Sequence, residues 1–244
     1  MFIRSTRVIR VQKKQRNKIK KMLHPSTIKF LKDIKKNNNK PWFEKNRSVY
    51  EKARADFASF IQQVIDKHGK NDPSIQNIVA KDCLFRINRD VRFAKDKSPY
   101  KSNFGASINK SGRKGENSAG YYFQVQPDRN FAGGGIWMPE PNELKKVRQE
   151  IDYNFADFKK IISSKKFKSI YGDLDRSEEF LLRRVPKGYE PDNPAAEYLK
   201  LKSFVAISFF SDADLSSKDL VKKTVAAFEA LQPLIEFLNE SMKG

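Results

Sequence analysis

The chain has 244 residues, 39% of them hydrophobic and 12% aromatic, which is too apolar for a disordered chain and enough to bury a large core. Its net charge of +20 points to anionic partners: nucleic acid, phosphorylated metabolites or acidic surfaces. The lone cysteine, Cys83, excludes an internal disulfide and suits a reducing cytoplasm, and the apolar run FVAISFF at 204–210 is far too short to span a bilayer.

Residues 1–21 hold nine lysines and arginines and no acid, leaving +11 for the rest of the chain. The segment reads as a basic disordered tail, a transit-type presequence, or residues upstream of a natural start at Met22. A single α+β domain is expected over 22–244. Residues 26–37 read as a short helix capped by Ser26, with Ile28, Leu31 and Ile34 on one face. Asn37, Asn38 and Asn39 break it. Pro41 then opens a second helix, whose apolar positions from Trp42 to Val64 recur every three or four residues as far as His68. Gly69 stops it, and 70–80 is a loop.

The stretch 84–105, LFRINRDVRFAKDKSPYKSNFG, gathers three arginines, three lysines and two aspartates. Alternation predicts a strand with Phe85, Ile87, Val91 and Phe93 on a core face and Arg86, Asn88, Asp90 and Arg92 on the other. Arg89 falls on the apolar face, so it needs a carboxylate or a bulge at 88–90 that turns it outward. Asn and Asp are poor strand formers, and with arginine they offer directional hydrogen bonds. The strand and the basic loop after it are therefore read as one wall of an anion-binding site. An internal polar network is the bland alternative.

Phe104–Asn109 reads as a further strand and 110–118 as an exposed turn with two glycines. AGYYFQVQP alternates Tyr121, Phe123 and Val125 against Tyr122, Gln124 and Gln126. A hairpin at 127–130 returns as FAGGGIWMP. Gly133, Gly134 and Gly135 weaken a strand, so a ligand or another strand must approach closely, or the strand must bulge. Helices follow at 143–151, with Arg148 inward as an ion-pair partner, and at 154–163. LLRRVP at 181–186 reads as a strand, 186–194 as an ordered loop or lid, and 203–211 as a buried strand. Ser216 with Asp219 reads as a capping box opening a long helix through Leu238, kinked at Pro233. The resulting architecture is an antiparallel sheet, barrel-like or strongly bent, packed by helices from both ends of the chain.

The segments NNNKPWFEKNRSVYE, RINRDVRFAKDKSPYKSNFG, AGYYFQV, FAGGGIWMP, LRRVPKGYEPDNP and LKLKSF resemble an uncharacterised bacterial family, domain of unknown function 2461. The resemblance runs from about residue 22 to the end. It implies that these segments belong to one domain, and it implies no activity and no catalytic residues.

Standard catalytic motifs are absent: no GxxxxGK[ST], HExxH, GxSxG or CxxC, and no dinucleotide or haem signature. One cysteine and two histidines, His24 and His68, argue against zinc and against a histidine-dependent triad. Mg²⁺ on Asp90 and Asp96 has no sequence signature. Three readings follow. In the first, a receptor or enzyme holds a small phosphate or carboxylate ligand. Arg86, Asn88, Arg89 and Arg92 clamp it, and Lys95, Lys97 and Lys101 add charge. Gly133–Gly135 permit close approach, Trp137 stacks, and Asp90 and Tyr100 are the candidate catalytic groups. In the second, a nucleic-acid module stacks bases on Tyr121, Tyr122 and Trp137. In the third, the protein is structural or partner-binding and the arginines are paired internally.

Overall fold

The computed structural model of the chain describes residues 22–112 and 118–243. The expected basic tail, and residues 113–117 of the expected turn, lie outside the described residues. The fold is α+β. Strands β1 (Phe104–Ile108), β2 (Gly120–Val125), β3 (Asn130–Ile136) and β4 (Phe204–Phe210) form one antiparallel sheet in sequence order. The sheet is open, with β1 and β4 at opposite ends of the order, so the barrel-like form is not adopted.

Helix α1 (Pro25–Lys36) starts with Pro25, whose fixed φ suits a first turn. Its cap is His24, whose Nδ1 accepts from the Ser26 amide, and not Ser26 itself. The helix expected over 41–68 is two helices, α2 (Lys40–Lys45) and α3 (Arg47–His68). Asn39 caps α2 through the Trp42 amide. Asn46 ends it by donating its side-chain amide to the Trp42 carbonyl at 2.9 Å. A short turn, α4 (Ala80–Cys83), brings buried Cys83 beside β1; burial pushes its thiol up to about 11.

After β3 come α5 (Pro141–Tyr153), α6 (Phe155–Ser163), α7 (Lys165–Tyr171) and α8 (Ala196–Leu199). Residues 181–186 make only one bridge, Leu181 to Leu201, instead of the expected strand. Arg148 points inward as expected but donates to the Leu201 carbonyl, and it forms no ion pair among the described residues. The capping box belongs to Ser211 and Asp214 on α9 (Asp212–Leu215). The long α10 (Leu220–Ser241) follows Asp219 without a side-chain cap and continues through Pro233.

Helices α3 and α10 cover one face of the sheet. Phe57 stacks on Phe104 at 5.6 Å, Phe60 meets Phe123 at 4.8 Å, and Phe228 stacks on Tyr121 at 4.8 Å. Each such ring, removed from water, contributes about 1.5–3 kcal/mol. Period-two alternation then sends Tyr122, Gln124 and Phe131 to the other face, where they line a groove.

Candidate functional site

The groove has a volume of about 500 Å³. Its floor is backbone: Gly120 on β2 pairs with Gly135 on β3, Tyr121 with Gly134, and Tyr122 with Gly133. These glycines serve strand-to-strand approach. A Cβ on Gly135, at φ +120°, would lie 1.9 Å from the Phe204 carbonyl oxygen, and one on Gly133 would lie 2.5 Å from that of Ala206. The neighbour that demands Gly133 and Gly135 is β4, Gly134 backs onto the Gly120 carbonyl of β2 and Gly120 onto the Ile108 carbonyl of β1, and the by-product is a shelf without side chains.

Aromatic rings wall the shelf on one side. Phe85, Tyr122, Phe131 and Phe209 run across the sheet with successive centroids 6.2, 5.5 and 6.1 Å apart. Gly105 makes room for the row, because a Cβ there would meet the Tyr122 hydroxyl at 2.4 Å. That hydroxyl donates to Gln124 Oε1, which also receives Asn103 Nδ2, each at 3.1 Å. Burial raises the Tyr122 phenol to about 12, so near neutral pH it is a protonated donor.

Trp137 lies at the far end of the groove, 57% exposed, with Phe180 edge-on at 4.4 Å. Met138, the next residue, takes the left-handed region at φ 43° and its amide donates to Ser203 Oγ at 2.9 Å. Such strain persists only where the surroundings enforce it. Val205 and Ile207 add apolar surface from β4, Ser107, Asn109 and Ser118 add polar atoms, and Glu140 is the one charged lining residue among the described residues. The arrangement is mostly apolar, flat and edged with a few hydrogen-bonding groups, as sites for small organic ligands are.

The arginine stretch is built differently from its expected form. Residues 84–89 run antiparallel to 99–106 as an irregular ladder: Leu84 bridges Ala106, Asn88 bridges Tyr100, and the Lys101 amide donates to the Ile87 carbonyl. No strand spans 84–93. The tip, 90–98, is tied by its own side chains. Arg89 pairs with Asp96 and Arg92 with Asp90, the latter at 2.7 Å. Lys97 donates to the carbonyls of Val91 and Arg92, and Asp96 also accepts from Ser98. Hydrogen bonds from Ser98 and Arg89 hold the Asp96 carboxyl well below its usual range, and those from Arg92 lower Asp90. Asp90 thus orients an arginine. Phe93, expected in the core, is 95% exposed.

The expected clamp is therefore not assembled: two of its three arginines hold the chain's own acids, and none of the three lines the groove. Arg86, Asn88 and Lys95 are exposed, and Arg86 forms no ion pair among the described residues. Lys101 stands over the Phe85 ring at 5.1 Å. Tyr100 is buried against Phe43 at 4.1 Å, and its backbone is held by the Asn38 side chain. Tyr121 is core, donating to Asp72 at 2.7 Å. Gly133–Gly135, Trp137 and Tyr122 do converge. Phe85, Phe131 and Ile207 were missed as site residues, although the odd-numbered spacing of Phe131 and Gly133 along β3 carried the signal. Among the described residues no three His, Cys, Asp or Glu cluster for a metal, and no helix is long and apolar enough to cross a membrane.

The family described as "Conserved hypothetical protein (DUF2461)" matches residues 26–237. Comparison with curated proteins and with solved structures finds no match in either.

Proposed function

The chain belongs to the DUF2461 family of conserved hypothetical proteins, and we propose that its function is to bind a small, planar organic anion on the glycine-floored groove of its sheet. The observation that carries this reading is the side-chain-free shelf of Gly133–Gly135 lying between Tyr122 and Phe131 on one hand and Trp137 on the other. A flat ring fits such a shelf, because aromatic rings prefer offset or edge contacts with other rings. Ser107, Asn109 and the Tyr122 hydroxyl offer hydrogen bonds at its edge. The acidic substituent is assigned to Arg86, the exposed neighbour in sequence of the groove residue Phe85; Arg86 forms no ion pair among the described residues, although its charge reaches Asp90. Recognition is thus assigned to the groove, with one arginine outside any ion pair among the described residues in place of a three-arginine clamp.

Calorimetric titration tests this with a panel of aryl carboxylates, flavin mononucleotide and nucleoside monophosphates. At least one is expected to bind. Trp137→Ala is expected to weaken that binding about tenfold or more, and Arg86→Ala to weaken it while sparing the uncharged analogue. Both side chains are exposed, so Tm should move little. Ligands that bind equally well to both variants, or no binding at millimolar concentration, would overturn the proposal.

A further inference from the structure

The aromatic row is longer than the groove. Phe209 on β4 stacks edge-on to Phe131 at 6.1 Å, is 66% exposed, and is not a groove residue. At the other end, the ladder that carries Phe85 ends in the tied loop that presents Phe93 at 95% exposure, with the Arg92 guanidinium 5.8 Å from its ring. Large apolar side chains held this far out of the core mark an interaction surface. Between Arg86 and Lys101 six cations face two carboxylates, so the Phe85 end of the row is basic. Arg129, exposed and without an ion pair among the described residues, stands in the turn just before β3, where its carbonyl accepts from Nε2 of the groove residue Gln124 at 3.4 Å.

A sheet with helices on one face and a row of aromatics on the other, flanked by cations, matches what an unpaired nucleic acid strand requires. Each base has a face to stack, and the backbone between bases is negative. We infer that this face binds single-stranded nucleic acid, with successive bases on Phe85, Tyr122, Phe131 and Phe209 and phosphates at Arg86 and Arg129. The inference rests on the groove reading, since one base occupies the shelf, and extends it from a lone planar anion to a strand. Duplex is excluded because its bases are already stacked on each other, leaving the rings nothing to cover.

Fluorescence anisotropy of the full chain with labelled ten-nucleotide oligothymidine, its duplex with oligoadenosine, and thymidine monophosphate as competitor decides the matter. The strand should bind, weaken steeply between 50 and 200 mM salt as phosphate contacts require, and exceed both duplex and mononucleotide in affinity. Phe209→Ala removes no charge and lies outside the groove, so it should weaken the strand about tenfold and leave the mononucleotide unchanged. Arg86→Ala with Arg129→Ala should flatten the salt dependence. Equal binding of strand and duplex, or a strand indifferent to Phe209→Ala, would reduce the interaction to charge alone and overturn the inference. A mononucleotide bound as tightly as the ten-mer would also overturn the strand while leaving the groove proposal standing. Failure of every nucleotide, with another planar anion bound, would do the same.

Discussion

At the scale of single residues, His68 is the outlier of the core. Its ring is fully buried at the end of α3, edge-on to Tyr121 at 4.7 Å and 5.8 Å from Phe228, and neither nitrogen has a hydrogen-bond partner among the described residues. Burial lowers its pKa. Asp72 and Glu229 oppose that shift and Lys166 adds to it. A depressed folded-state pKa means the unfolded chain takes up a proton first as pH falls. The stabilisation is therefore complete above the unfolded value of about 6.5 and is lost below it, with a limiting slope of about 1.4 kcal/mol per pH unit. His68→Leu is expected to flatten the pH dependence of urea stability between pH 5.5 and 7. An unchanged slope in that window would mean that the ring is already protonated, or solvated, in the folded protein.

The elements show the same conflict between local preference and tertiary demand in the glycine run of β3. Gly135 and Gly172 both have positive φ, at +120° and +71°. They differ in surroundings: a Cβ on Gly135 collides with the Phe204 carbonyl, whereas nothing lies within 4 Å of one on Gly172. Gly172, at the C-terminus of α7, takes φ +71° and ψ −64°, a γ-turn in which the Asp173 amide donates to the Tyr171 carbonyl at 2.8 Å, so Gly172→Ala should cost about 1–3 kcal/mol from backbone strain alone. Gly135→Ala must also push β4 away and should cost more than about 3 kcal/mol, measured as loss of urea stability. Near-equal losses would show that β3 and β4 can part without penalty. The shelf is thus a consequence of close strand packing, and any ligand that uses it exploits room the fold had to leave.

For the whole molecule, the decisive feature is that α3 and α10 cover one face of the sheet and leave the aromatic row on the other. That sidedness can be measured with two phenylalanines. Phe228 on α10 is fully buried against Tyr121 and His68, so Phe228→Ala should cost about 3–5 kcal/mol. Phe209 is mostly exposed, and Phe209→Ala should stay within about 0.5 kcal/mol of the parent. Thermal unfolding separates them, since a protein of this size shifts Tm by about 2–4 °C per kcal/mol. A large loss from Phe209→Ala would mean that this face is packed against something in solution.

Much of this architecture was legible in the residues. Alternation in GYYFQV named both faces of β2, the 3.6-residue recurrence of Phe57, Phe60 and Val64 announced α3, and FVAISFF announced β4, because apolar periodicity records which side a backbone buries. Gly133–Gly135 and Trp137 could be singled out because a glycine run in a strand and a tryptophan beside it are costly unless something requires them. The strand expected over 84–93 does not form, for a definite reason. Alternation assumes an extended chain, but here Asp90 and Asp96 sit close enough in sequence to capture Arg92 and Arg89 and fold the segment into a self-tied loop. Which cations find acids, which glycine backs onto which carbonyl, and which sheet face the helices leave uncovered are long-range matters. Only tertiary structure decides them, because each depends on a partner that the local chain does not contain.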